Sequence, residues 1–172
     1  MAAVKILQVV GFKNSGKTTL ALNLLKQAKA TGKTVAAIKH HGHGGPLELP
    51  KADTDSMRLF EEGADCSIAY GDGVVQMHQR KQSATIEELI AYASLGSPDL
   101  ILVEGFKEAP FEKVVMLRSA EDWTELQKLE HIVLAVAPEP LELDNTRLIL
   151  QNDSKHLQSW FTNWMEADHE SI

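Results

Sequence analysis

Residues Gly11-Phe12-Lys13-Asn14-Ser15-Gly16-Lys17-Thr18 satisfy the pattern G-x-x-x-x-G-K-[ST] at every fixed position. Average residue usage yields roughly one such match in a hundred chains of this length, so the flanking sequence decides what it means. The run Val4 to Val10 is mostly apolar, as a strand buried on both faces should be. Thr18 to Ala30 places Leu20, Ala21, Leu24, Leu25 and Ala28 on one helical face, and Gly32 supplies a stop. Thr34 to Ile38 reads as a second strand. A loop of this kind between a strand and a helix, inside a βαβ unit, commits the chain to an α/β fold with a nucleoside-phosphate site.

Each part of the loop has a physical reason. Gly11 and Gly16 let the backbone turn tightly and aim successive N–H groups at an anion. The helix that follows adds its unpaired N-terminal donors and the positive end of its dipole. Gly11, Lys13, Asn14, Ser15, Gly16, Lys17, Thr18 and Thr19 are therefore the expected phosphate-binding residues. Lys17 can reach the β- and γ-phosphates, and the Thr18 hydroxyl can take a place around Mg²⁺. Some ATPases carry a second lysine directly after the first glycine, reaching across a dimer. Phe12 stands there in this chain, so Lys13 is not given that role.

A site of this type needs an acid at the end of a neighbouring buried strand. Leu100-Ile101-Leu102-Val103 followed by Glu104-Gly105 provides it, and ligand groups collect at strand ends where the crevice of an open sheet lies. Lys17 and Glu104 are the candidate catalytic residues, with Thr18 and Glu104 toward the metal. An acid that merely ends a strand is the plainer alternative.

After the second strand come Lys39, His40, His41 and His43. Metal ligands need fixing by their neighbours, and Gly42, Gly44 and Gly45 make this loop pliant, so it reads as facing phosphate or substrate. Lys39 and His40 are the best placed toward an anion. Asp53, Asp55 and Ser56 could contact Mg²⁺ or a γ-phosphate, while Asp53 or Thr54 could equally be a helix cap. No N-K-x-D motif for guanine is present, and Pro138 to Asp144 is a candidate base-contacting loop by position alone.

The remaining chain predicts a single domain over residues 1–172, with a three-layer α/β sandwich, a mostly parallel sheet and a hairpin insertion at about 66–78. Gly71-Asp72-Gly73 marks that hairpin, and Cys66, within the apolar run Cys66 to Tyr70, is expected to be a buried structural thiol. Thr85-Ile86-Glu87-Glu88 matches a capping box for a helix with Ile86, Leu89, Ile90 and Ala93 on one face. Lys113–Arg118 and His131–Pro138 read as strands. A last helix from Asp153 or Ser154 carries Leu157, Trp160, Phe161 and Trp164 along one side, a stripe expected in a core or interface. A net charge of −7 argues against a general nucleic-acid binder. With no apolar run of membrane length and no signal-like N-terminus, a cytoplasmic location is expected.

Four segments taken together carry a family resemblance. "GFKNSGKTTL", "IKHHGH", "KADTDSMRLFEEGAD" and "DLILVEGFK" occur in the order and spacing of the molybdopterin-guanine dinucleotide biosynthesis adaptor family, MobB. The likeness spans about residues 4–118. It implies a P-loop protein that binds GTP with Mg²⁺, hydrolyses it weakly, forms a homodimer and assists the guanylyltransferase that joins GMP to molybdopterin. It also implies that Lys39, His40 and Asp55 line the nucleotide cleft, that the hairpin lies at a dimer interface, and that molybdopterin is a further possible partner. Gly44, Gly45 and Pro46 stand where the family often has acidic residues, which weakens a metal or cofactor role for this loop. Two other readings fit the bare motif: a P-loop small-molecule kinase, and a GTPase metallochaperone using the histidine cluster.

Overall fold

A computed structural model describes residues 4–42, 45, 47–51 and 53–167. The chain forms two compact units, one from residues 1–42 with 86–172 and one from residues 43–85.

The larger unit is built on six parallel strands in the order β2-β5-β1-β6-β7-β8. These are β1 (Lys5–Gly11), β2 (Val35–Lys39), β5 (Leu100–Glu104), β6 (Lys113–Met116), β7 (Ile132–Ala137) and β8 (Leu148–Leu150); β3 and β4 lie in the smaller unit. The expected βαβ unit thus has a guest: β5 lies between β1 and β2, pairing Val9 with Glu104 on one side and Lys39 with Glu104 on the other. Strand polarity along the sheet is uniform, so the mostly parallel sheet of the sequence reading is wholly parallel here.

Both faces are covered. Helix α1 (Lys17–Ala30) and helix α5 (Ser154–Glu166) pack on one, where Leu20, Leu24 and Ala28 meet Leu7, Val9 and Val114, and Trp160, Phe161 and Trp164 join the same core. The aromatic stripe of α5 is therefore core. On the other face, helix α3 (Ile86–Ser94) packs Ile86, Ile90 and Ala93 against Ile101 and Val103. There too helix α4 (Ala120–Leu126) sets Leu126 and Trp123 against Val115 and Ala135. Gly32, at φ +80, stands just beyond the end of α1, as its predicted stop requires. Lys113 opens β6 almost wholly buried, and its ammonium donates to the carbonyls of Ala109, Phe111 and Glu130 at 2.8–2.9 Å. Burial lowers its pKa, and three carbonyls offset the lost water.

In the smaller unit, Thr54 caps helix α2 (Asp55–Glu61), its hydroxyl accepting from the Met57 N–H. Strands β3 (Cys66–Gly71) and β4 (Val74–Gln79) form an antiparallel hairpin. Asp72 and Gly73 both have positive φ, which suits a two-residue turn between right-twisted strands. One hairpin face meets α2: the Ser67 hydroxyl donates to the Ser56 carbonyl, and the rings of His78 and Phe60 approach. The other carries Cys66, Ile68, Tyr70, Val75 and Met77 and is exposed. The expectation of a buried Cys66 is thereby overturned. Alternation along β3 sends its thiol away from α2, and the apolar neighbours that suggested a core share the outward face.

Among the described residues no helix is long and apolar enough to cross a membrane.

Candidate functional site

The carboxyl ends of β2, β5, β1 and β6 lie side by side, and the chain leaves each of them with a chemically loaded residue: Lys39, Glu104, Gly11 and, just beyond Met116, Arg118. From β1 the backbone enters the Gly11–Thr18 loop. Asn14 and Gly16 adopt left-handed conformations, at φ 61 and φ 88, and Gly16 leads directly into α1. Gly11 has no room for a side chain, because a Cβ there would stand 2.6 Å from the Met116 carbonyl and 2.7 Å from Ser15 Oγ. A Cβ on Gly16 would stand 3.0 Å from Gln151 Nε2, which brings the segment after β8 beside the loop.

Lys17 folds back over the loop, and its ammonium donates to the Phe12 carbonyl at 2.6 Å. Burial lowers its pKa, helped by the positive charges of Lys107, Lys39 and Arg118, while Glu104 works in the opposite sense. Four cations thus surround one loop, an environment that favours a polyanion.

Thr18, one residue on, donates its hydroxyl to both Glu104 carboxylate oxygens, at 2.9 and 3.0 Å. Lys39 completes the cluster, its ammonium 2.8 Å from Glu104 Oε1 and 3.1 Å from Thr18 Oγ1. A hydroxyl and a carboxylate that already grip a cation form a donor set suited to Mg²⁺, which keeps several waters and takes phosphate oxygens as further ligands.

Behind Glu104 the chain turns sharply. Gly105 has φ +96 and Phe106 has φ 52. The Phe106 ring stacks on His40 with centroids 4.5 Å apart, so His40 packs against the turn that carries Glu104. A Cβ on Gly105 would meet His40 Cβ at 2.9 Å.

The sequence-predicted residues therefore divide. Gly11, Lys13, Asn14, Ser15, Gly16, Lys17, Thr18 and Thr19 form the loop and first turn of α1, and Lys39, His40 and Glu104 flank them. Asp55 belongs to the smaller unit, exposed in the first turn of α2 and paired with Arg58 at 3.8 Å. His43 lies outside the described residues, and among those described no group of three or more His, Cys, Asp or Glu side chains could hold a metal. In the Pro138–Asp144 loop, Leu141 and Leu143 pack into the core around Val10 and Ala135.

Lys107 and Arg118 were missed by the sequence reading. Their cationic heads lie over the Phe12 ring, 4.3 and 5.2 Å from its centroid. Arg118 also donates to the Lys13 carbonyl at 3.4 Å, and Asp122 grips its Nε and Nη2 at 2.8 and 2.7 Å. The signal was the aromatic residue inside the loop, which needs partners once it projects beside cations.

Comparison with known proteins identifies the family. The family described as MobB, molybdopterin guanine dinucleotide synthesis protein B, matches residues 6–139. A Bacillus subtilis protein described as a probable molybdopterin-guanine dinucleotide biosynthesis adapter protein is 40% identical over 129 residues, covering 75% of this chain and 74% of its own. The Haemophilus influenzae adapter protein of the same description, without "probable", is 32% identical over 168 residues, 96% of this chain and 92% of that one. The crystal structure of a MobB protein homolog from Bacillus stearothermophilus superposes with a TM-score of 0.78 at 33% identity, covering 93% and 97% of the two chains.

Proposed function

The chain belongs to the MobB family, and from that premise we propose that it is a GTP-binding adaptor in molybdopterin guanine dinucleotide synthesis, serving the guanylyltransferase of that step. The observation that carries the nucleotide part is the Thr18 hydroxyl on both oxygens of Glu104, one residue from Lys17 at the start of α1. In this reading the N–H groups from Lys13 to Thr19 cradle the phosphates and Lys17 leaves the Phe12 carbonyl for a phosphate oxygen. Thr18 and Glu104 would hold Mg²⁺, which when bound neutralises charge on the phosphate oxygens. His40, stacked on Phe106, fixes the turn that presents Glu104.

Hydrolysis is expected to be slow. Arg118 is the arginine that stands beside the phosphate loop, and Asp122 and the Lys13 carbonyl already occupy its guanidinium. An arginine tied in this way is poorly placed to follow charge developing on a transferring phosphoryl group. A protein that holds GTP and hydrolyses it little suits presentation to a partner enzyme better than a dedicated NTPase. A second copy of the chain is the expected occupant of the exposed hairpin face of Ile68, Tyr70, Val75 and Met77, since contiguous apolar surface of this kind marks an interaction site.

Calorimetric titration with Mg·GTP and with Mg·ATP tests the reading. Preference for GTP, together with stimulation of the guanylyltransferase, supports it. Equal or preferred ATP binding with a phosphorylated acceptor would replace it by a kinase.

A further inference from the structure

Lys39 and Glu104 are the last residues of neighbouring parallel strands and lie directly opposite each other in register. That register puts a tethered ammonium where the oxygens of Thr18 and Glu104 converge, at 3.1 and 2.8 Å. The Glu104 side chain is only 12% exposed, so its carboxylate would be costly to leave without a counter-charge. The Lys39 side chain is 57% exposed, and its ammonium is held by Glu104 and Thr18. A lysine ammonium is a point charge on a flexible stem, free to change partners without moving the backbone.

We infer that Lys39 is an internal counter-ion that occupies the divalent-cation position of the nucleotide-free protein and makes metal uptake depend on the nucleotide's phosphates. This rests on the nucleotide reading above and extends it. A divalent ion arriving alone must displace a cation whose tether gives it a high effective concentration. A metal arriving with a polyphosphate brings the negative charge that Lys39 needs as its next partner. The ammonium then moves from Glu104 to phosphate, beside Lys17, as Thr18 and Glu104 are released to the metal. The coupling is reciprocal: phosphate raises metal affinity by the same factor as metal raises phosphate affinity through this exchange.

The test is a Mn²⁺ titration of the full-length protein followed by electron paramagnetic resonance, with and without GDP, in wild type, Lys39→Met and Lys39→Arg. Folding of each variant is checked by denaturant unfolding. Wild type should take up Mn²⁺ weakly without nucleotide. Lys39→Met should bind it at least about tenfold more tightly, and GDP should then raise Mn²⁺ affinity by a smaller factor than in wild type. Lys39→Arg keeps a positive charge and should remain weak without nucleotide. Equal nucleotide-free Mn²⁺ affinity in wild type and in folded Lys39→Met would overturn the inference. Calorimetry with Mg·GTP separates the two levels: normal GTP binding alongside that equality sinks only the counter-ion role. A wild type that binds no Mg·GTP sinks the nucleotide reading and this inference with it.

Discussion

Gln8 is wholly buried in the middle of β1, and its side-chain amide donates to the Phe106 carbonyl at 2.8 Å and to the Gly105 carbonyl at 3.0 Å. One amide thereby pins the turn by which the chain leaves β5 immediately after Glu104. That turn has positive φ at two successive residues, a conformation that persists only where its surroundings over-determine it.

Replacing Gln8 by Leu removes both donors and leaves two carbonyls beside an apolar group. Stability should fall by about 1–3 kcal/mol, and Mg·GTP affinity should drop several-fold because Glu104 loses its support. Denaturant unfolding and calorimetry measure the two effects separately. Lost stability with unchanged affinity would reduce the turn to a structural element.

Lys17→Ala should leave the fold intact and weaken Mg·GTP binding by about tenfold or more, about 1.4 kcal/mol. Charge-assisted phosphate contacts are stronger than neutral hydrogen bonds. Calorimetry on the purified variant decides it, and an unaltered dissociation constant would remove the loop from consideration as the phosphate site.

Gly105→Ala forces a Cβ to within 2.9 Å of His40 Cβ at a backbone φ of +96. A loss of about 1–3 kcal/mol is expected from the backbone strain alone, with more from displacing the His40–Phe106 stack. Gly32→Ala is the control, because its φ is +80 but a Cβ there meets nothing within 4 Å. The Gly105 variant should have the lower urea midpoint of the two.

Asp122 supplies a pH dependence whose sign is fixed. Hydrogen bonds from the Arg118 guanidinium, and to a smaller extent from the Arg118 N–H, hold its pKa below the ordinary value of about 3.9. The folded state therefore binds this proton less readily than the unfolded chain. The stabilisation is fully present above the unfolded pKa and fades as pH falls through the lowered folded one. Unfolding midpoints between pH 5 and 2 should fall more steeply in wild type than in Asp122→Asn, and parallel curves would count against the pair.

The Gly11–Thr18 loop, its strand and its helix were legible because the signal is local: spaced glycines, a buried run before them and helical periodicity after. The acid at Glu104 was legible for the same reason, as a charge ending a strongly apolar strand. The position of β5 between β1 and β2 was not, because strand order is set by packing between segments far apart in sequence, as the pairings of Leu100 with Val35 and with Lys5 show. With it went the Lys39–Glu104 pairing, which depends on that register. The three residues of β8 and seven of α4 are too short for periodicity to declare itself. Cys66 misled because an apolar run does not say which face of a hairpin is covered. Arg118 and Lys107 went unread because only the ends of β5 and β6 bring them to one aromatic ring.

The packing of α5 has a practical result. Trp160 and Trp164 share one apolar core with Leu20 and Leu24 of α1, the helix whose first turn closes the phosphate loop. Gln27 of α1 further ties the two helices by donating to the Gln158 carbonyl and the Thr162 hydroxyl. Any displacement of α1 would alter the surroundings of two indoles. Two native fluorophores thus sit against the helix that begins at Lys17, and the proposed occupancy of the loop should register in intrinsic emission without a label.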